Sequence, residues 1–355
     1  MQNALPSSPA ILVHGSYFAA NFGDVLLWEI LTEELSRLHP KATFLHAGLP
    51  AQLVPIYDPS QRFALAGSDA SPDLAVFSGG GYFCPPPRAA VRWHLRNFLR
   101  HRKALTLARR SRTVAFVGVG FGKLGYSPLG IALRAIPADR TRPVLVRDVE
   151  SAREFMDLHA TSTPAVIDDL AFSWLARTWR RTPNVRIVPQ RIAVHMDLAG
   201  MSQSQVEHCR RALEALRDQY DGTVRLLTDC DSEQGTRTRE FISGVLGREC
   251  EEAIFRDDTS AFLTAIADCD RVITTKLHVG ICASAMGIPV ISIPTHTKTP
   301  RFYKKIGLQS ALLDQECSQI GALITTPDRH LVSEEVLSAS AREYDEVVQH
   351  LAGLG

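Results

Sequence analysis

The sequence predicts an α/β protein built from two doubly wound, Rossmann-like domains facing a central cleft. Three observations predict it. The chain has 355 residues, more than one compact core usually serves. Short runs rich in β-branched residues recur along it, each followed by a glycine or polar turn and then a helical pattern. The runs are continuously apolar rather than alternating, as expected of strands buried on both faces of a parallel sheet.

In order, the runs fall at residues 10–14 (AILVH), 74–78 (LAVFS), 113–117 (TVAFV), 144–147, 166–168, 191–195, 224–227, 271–274 and 290–293. Residues 25–35 read as an amphipathic helix after the first run, and 333–354 as a terminal helix packing back across the domain junction. The junction is placed in residues 177–188 (RTWRRTPNVRIV), a basic, proline-containing and weakly periodic stretch. The expected organisation is an N-terminal domain over 1–180, a C-terminal domain over 181–330 and the helix over 331–355. Ligands are expected at the carboxyl ends of strands.

Composition narrows the function. Hydrophobic residues at 45% and charged residues at 22% are ordinary for a globular enzyme. A formal net charge of +1 gives no global field for nucleic acid, so attraction for anions must be local. The seven cysteines are scattered and odd in number, without zinc spacing, and read as thiols in a reducing compartment. The N-terminal residues lack the pattern of a signal peptide, and no apolar run reaches the ~18 residues of a membrane helix. A cytoplasmic location is expected, with peripheral contact at the inner membrane face left open. A homo-oligomer is left open.

Four segments carry the chemistry. After the first run comes His14-Gly15-Ser16-Tyr17-Phe18-Ala19-Ala20-Asn21-Phe22-Gly23-Asp24. Its glycines allow close backbone approach, and Asn21 and Asp24 suit a turn that opens a helix. It is either a polar-ligand loop or a plain strand-to-helix turn. Ser78-Gly79-Gly80-Gly81 follows another apolar run; three successive glycines are costly unless positive φ or close ligand approach is required. An N–H nest there would bind phosphate or hydroxyls. Gly118-Val119-Gly120-Phe121-Gly122-Lys123-Leu124-Gly125 satisfies a dinucleotide fingerprint. Tyr126-Ser127-Pro128 is taken as a poor helix opening, and no acidic residue follows at the required spacing, so a glycine-lined cleft wall is the preferred reading.

The fourth segment is the most informative. Thr274-Thr275-Lys276-Leu277-His278 follows a strand and starts a helix that Gly287 and Pro289 stop. Lys276 and His278 are expected in its first turn, the wrong end for cations unless an anion sits before them. Residues 271–313 contain no Asp or Glu but hold Arg271, Lys276, Lys298, Arg301, Lys304 and Lys305, with His278 and His296. A bound phosphate, carboxylate or both is expected, with the last three cations equally readable as a solvated face.

These segments, in this order over about residues 10–310, resemble the polysaccharide pyruvyl transferases. Residues 15–24 look like the family's Gly-Asn-x-Gly-Asp loop, residues 78–81 its glycine triplet and 118–125 its glycine-rich turn. Arg147-Asp148 with Ser151 is similar to its Arg-Asp-x-x-Ser segment, Asp168-Asp169 to its acidic pair, and 271–289 with Lys298 and Phe302 to its most specific block. Lys276 stands where the family commonly has arginine, which keeps charge but loses the bidentate fork.

The resemblance implies transfer of a pyruvyl group from phosphoenolpyruvate to sugar hydroxyls as a ketal, with phosphoenolpyruvate as donor substrate and no cofactor or metal. The acceptor is a sugar of a polysaccharide or its precursor, with a lipid-linked and a nucleotide-linked form both left open. On this reading His278 contacts phosphate or acts as general acid, and Lys276 and Lys298 neutralise charge. Asp24, Asp168 and His195 are candidate bases. Gly15, Asn21, Gly23, Gly79, Gly80, Gly81, Gly120, Arg147 and Thr275 contact substrate. Two rivals remain: a GT-B-like glycosyltransferase using a nucleotide-sugar, and a non-catalytic anion- or sugar-binding protein. The acid-free stretch 271–313 argues against the first.

Overall fold

A computed structural model describes residues 8–85, 91–160, 163–179, 186 and 188–354. Their Cα positions fall into two compact units. One comprises Met1–Ala20, Asp24–Leu170 and Glu343–Gly355; the other comprises Asn21–Gly23 and Ala171–Arg342. The division thus falls at residues 170 and 171. Of the stretch 177–188, residues 180–185 and 187 lie outside the described residues.

The first unit holds strands β1 (Ala10–His14), β2 (Thr43–His46), β3 (Phe63–Leu65), β4 (Leu74–Phe77), β5 (Gly80–Phe83), β6 (Thr113–Phe121), β7 (Thr141–Val146) and β8 (Ala165–Val166). They form one sheet in the order β3-β2-β1-β4-β6-β7-β8, with β5 also on β6, and every pairing is parallel. The connecting helices are α1 (Phe22–Leu38), α2 (Val54–Tyr57), α3 (Val91–Ala108), α4 (Pro128–Arg134), α5 (Val149–Leu158) and α6 (Leu170–Thr178). The chain crosses into the second unit near the start of α6.

The second unit holds β9 (Arg191–His195), β10 (Thr223–Thr228), β11 (Glu251–Ile254), β12 (Arg271–Thr274) and β13 (Val290–Ser292), ordered β11-β10-β9-β12-β13 and again all parallel. Its helices are α7 (Gln203–Gln219), α8 (Glu233–Leu246), α9 (Thr259–Ala267), α10 (Leu277–Ala285), α11 (Lys298–Lys305) and α12 (Gln319–Thr325). The terminal helix α13 (Glu334–Ala352) brings Tyr344 within 3.1 Å of Glu34 in the first unit's own core region.

Both sheets are doubly wound, and each reverses direction once: between β1 and β4 in the first, between β9 and β12 in the second. Ligands of open parallel sheets lie outside the carboxyl ends of strands at such points. Central strands are buried on both faces, with β1, β4, β6, β9 and β12 almost wholly inside. Separate apolar clusters fill the two cores, one around Phe77, Phe116 and Phe155, the other around Val194, Leu213 and Ile291.

The structure corrects several expectations. Gly80 and Gly81 lie within a short strand rather than a turn; Gly80 alone of the triplet has positive φ, at 125°. The run at 113–117 continues through Gly118 and Gly120 to Phe121. Ser127-Pro128 is a sound helix opening after all. The Ser127 hydroxyl accepts from the Gly130 N–H, and Pro128 occupies a first-turn position where no N–H is needed.

Candidate functional site

In the first unit, the flagged glycines gather at the switch point. Gly15 follows β1, and a Cβ there would sit 3.3 Å from the Trp28 ring and 3.5 Å from Ser78. A Cβ on Gly79 would meet the Gly118 carbonyl at 3.4 Å, and one on Gly80 would meet Ser16 at 3.4 Å. The contact at Gly15 is tight, Gly80 is tighter still at 3.2 Å from Tyr82 and has positive φ, and that at Gly79 is an ordinary van der Waals distance. Gly81 follows in β5, where its carbonyl accepts from Cys84.

Beneath this patch lies a buried chain that the sequence reading did not interpret. His14 shares hydrogen bonds with the Tyr17 hydroxyl at 2.6 Å and with His101 at 2.7 Å. Burial and then the neighbouring His101 hold His14 well below the usual imidazole range. His101 is pushed down to about 3, by burial and then by Arg100. Both rings are neutral at physiological pH.

Arg147 and Gly120 are brought together. The guanidinium occupies the space where a Gly120 side chain would begin, 2.6 Å from that position. Arg147 also stands 3.4 Å from Asp148. Asp148 caps α5 by accepting from the Ser151 N–H at 2.7 Å, and the Ser151 hydroxyl accepts from Phe121 N–H at 3.0 Å. The Arg-Asp-x-x-Ser pattern is thus a helix cap that ties β7 to β6 and aims one arginine. Asp168 follows β8, its N–H donating to the Glu343 carboxylate, and Asp24 lies in the first turn of α1.

The second unit holds the denser constellation. Lys276 is the N-cap residue of α10, one place before the helix begins, so only His278 is in the first turn. The Lys276 N–H donates to the Thr274 hydroxyl at 2.9 Å. Thr275 is locked between strands: its N–H donates to the His195 carbonyl, and its hydroxyl accepts from the Asp197 N–H. Lysine offers no acceptor to the first-turn N–H groups, so no N-cap side chain closes them.

The charge of Lys276 meets two carboxylates that the sequence reading missed. Its ammonium lies 2.8 Å from Asp229 and 3.3 Å from Asp197. The other Asp229 oxygen lies 3.2 Å from Nε2 of His195, which ends β9 and is fully buried. Burial alone would raise the Asp229 carboxyl; the adjacent His195 imidazole and the Lys276 ammonium hold it well below the usual range. Burial alone would depress Lys276, yet Asp229 and Asp197 drive it well above an ordinary ammonium.

Two inferences from the acid-free stretch 271–313 are therefore overturned. Part of the compensation for Lys276 comes from the protein's own carboxylates, supplied by the ends of β9 and β10. Arg271 is no part of an anion site: it is fully buried at the start of β12 and donates to the carbonyls of Leu323 at 2.9 Å, Asp270 at 2.7 Å and Arg186. Lys304 and Lys305 lie in the last turn of α11, where the helix dipole favours cations. Lys298 opens that helix, and His296 just before it is lowered by burial, then by Lys298 and Lys276.

His278 has a neighbour from the N-terminal loop. The segment Asn21–Gly23 groups with the second unit. The Phe22 N–H donates to the Asp229 carbonyl at 2.9 Å, and its ring packs on Phe255 and Phe262. A Cβ on Gly23 would fall 1.9 Å from Nδ1 of His278. The imidazole thus fills the place that a side chain would take. Among the described residues no group of His, Cys, Asp and Glu could hold a metal ion, and the seven cysteines are free.

Residues 21–297 match the polysaccharide pyruvyl transferase family. No protein of curated function matches the chain in sequence. Among solved structures, HepE of Anabaena bound to UDP and glucose is 12% identical, with 98% of each chain covered and a TM-score of 0.53. UDP-GlcNAc 2-epimerase of Neisseria meningitidis bound to UDP-GlcNAc is 10% identical, covering 97% of this chain and 100% of that one, with a TM-score of 0.56. The corresponding epimerase of Methanocaldococcus jannaschii, in complex with UDP-GlcNAc and UDP, is 11% identical over 97% and 99%, with a TM-score of 0.55. At such identity the likeness concerns the fold, which is α/β with parallel sheets and GT-B-like.

Proposed function

The chain belongs to the polysaccharide pyruvyl transferase family, and from that premise we propose that it moves a pyruvyl group from phosphoenolpyruvate to two hydroxyls of one sugar, forming a ketal. The observation that carries the donor assignment is the start of α10. The N-cap there is a lysine, which brings no acceptor of its own, at the second sheet's switch point. A phosphate or carboxylate at that helix end would meet its partial positive charge.

In the proposed reaction a proton is added to the methylene carbon of phosphoenolpyruvate, and one sugar oxygen bonds to the adjacent carbon. That carbon's bond to the phosphate oxygen then breaks, and the second sugar oxygen takes its place. Both hydroxyl protons pass to bases, and phosphate leaves. His278, seated against Gly23, is the proposed general acid or phosphate contact. Lys276 keeps its short, buried contact to Asp229 and exchanges its longer one, to the half-exposed Asp197, for the donor's anion. Asp229, held by His195, is then a positioning residue. Lys298 adds positive charge from α11, and Asp24 and Asp168 are the proposed bases.

Phosphoenolpyruvate is a substrate, and the reaction calls for no cofactor. Relatives of this fold carrying UDP or a UDP-sugar support a nucleotide-linked acceptor, with a lipid-linked one as the other case. The same ligands favour one second reading, glycosyl transfer from a nucleotide-sugar. The test is phosphate release from phosphoenolpyruvate in the presence of UDP-sugars or lipid-linked sugars, with mass analysis of the product. Pyruvylated sugar with stoichiometric phosphate supports the proposal. Release of free UDP with no use of phosphoenolpyruvate supports glycosyl transfer.

A further inference from the structure

Helix α3 has an outward face that the first unit's core does not use. Inward it presents Asn97, His101, Ala104, Leu105 and Ala108, all buried. On the other side Leu95 and Leu99 are each 49% exposed, one turn apart, and Val91 is 83% exposed. Arg92, Arg96 and Arg100 alternate with these leucines and line a shallow groove of about 430 Å³ with them. Among the described residues none of the three arginines pairs with a carboxylate; Arg100 lies over the Phe18 ring at 5.6 Å. No Asp or Glu occurs between residues 74 and 138, so nothing on this part of the chain opposes the charge.

We propose that the outer face of α3 docks the protein on an anionic lipid bilayer. The face combines the two features such binding needs: cations at the level of the headgroup phosphates and aliphatic side chains that enter the boundary below them. A solvated basic face would not expose leucines in register with arginines, and a polynucleotide would gain nothing from them. Docking is peripheral, since no helix among the described residues is long and apolar enough to cross a membrane. The helix also carries Arg100 and His101 against Phe18, in the loop after β1. A docked bilayer would therefore lie beside the loop after β1. The inference stands on this face alone and does not depend on the donor.

The experiment is co-sedimentation of the whole protein with vesicles of phosphatidylglycerol and phosphatidylcholine, and with phosphatidylcholine alone. Two surface variants accompany it, Arg92→Gln with Arg96→Gln and Leu95→Ser with Leu99→Ser, each checked by thermal melting to be folded. Binding is expected to the anionic vesicles alone and to weaken as salt rises. The arginine variant should lose about fivefold per residue, and the leucine variant should also bind more weakly. Three results overturn the proposal: no sedimentation with anionic vesicles, equal sedimentation with neutral ones, or full binding by the leucine variant. Release by polyuridylate of a leucine variant that still binds fully would reassign the face to nucleic acid.

Discussion

Replacing Gly23 by alanine adds one methyl group where the His278 imidazole already sits. The new Cβ would lie 1.9 Å from Nδ1, 2.4 Å from Cγ and 2.7 Å from Cβ of that histidine. Ordinary non-bonded contact begins near ~3.5 Å, so something must retreat by roughly 1.5 Å. The backbone is poorly placed to give way. Phe22 is fixed next door by its N–H bond to Asp229 and by the Phe255 and Phe262 rings. The histidine must therefore move. Helix propensity favours alanine by up to ~1 kcal/mol, while overpacking costs about 1–3 kcal/mol, so the net loss of stability is about 0–2 kcal/mol. Misplacing a reacting group by ~1 Å costs roughly 100-fold in rate.

The expected outcome is thus a folded protein whose phosphoenolpyruvate-dependent phosphate release falls about 100-fold. A double-mutant cycle isolates the cause: in a His278→Ala background, Gly23→Ala should cost almost nothing more. Full activity in the single variant, or additive losses in the cycle, would refute the reasoning that Gly23 exists to seat His278.

Three further outcomes follow from the same geometry. Asp229→Asn leaves Lys276 with Asp197 alone and should destabilise by about 3 kcal/mol in urea unfolding, the low end for breaking a buried pair. Asp229 sits below its unfolded value near ~3.9 and Lys276 above its own near ~10.4, so the pair's contribution is complete between those limits. It fades only as pH falls below the first or rises above the second, so with His195 replaced by glutamine the deficit of Asp229→Asn should be flat from about pH 5 to 9. Arg271→Leu removes three hydrogen bonds to backbone carbonyls, one of them buried, and should cost about 3 kcal/mol, while the protein that stays folded binds ligand as before. Lys298→Met removes a charge that depresses His296, so NMR titration should find that histidine titrating at higher pH; an unchanged midpoint would contradict the field assigned to Lys298.

What was legible in the sequence follows burial. β1, β9 and β12 coincide with apolar runs because they are buried on both faces and their residues need not alternate. β2, β3 and β11 were not found. They are short, with exposed or half-exposed positions, and Glu251-Glu252 in β11 gives no apolar signal. β5 was hidden because glycines disfavour strands and their pairing with β6 is a tertiary effect.

In the candidate site, His195, Thr275, Lys276 and His278 stood out because each follows a recognisable strand end. Asp229 directly follows a strand that was recognised, and Asp197 lies two residues after His195, so both carried a positional signal. Their significance was masked because acidity was counted along one segment, whereas a parallel sheet assembles its site from several strand ends. Arg271 was misassigned for the matching reason. It begins its strand, at the end opposite the one that bears ligands.

The central claim is that the start of α10 binds an anionic donor, and calorimetric titration with phosphoenolpyruvate tests it most directly. The account predicts binding that weakens in both Lys276→Ala and His278→Ala, with UDP-sugars leaving the donor's affinity intact or improving it. Tight binding of a UDP-sugar by a protein that takes up no phosphoenolpyruvate, with or without that sugar present, would contradict it.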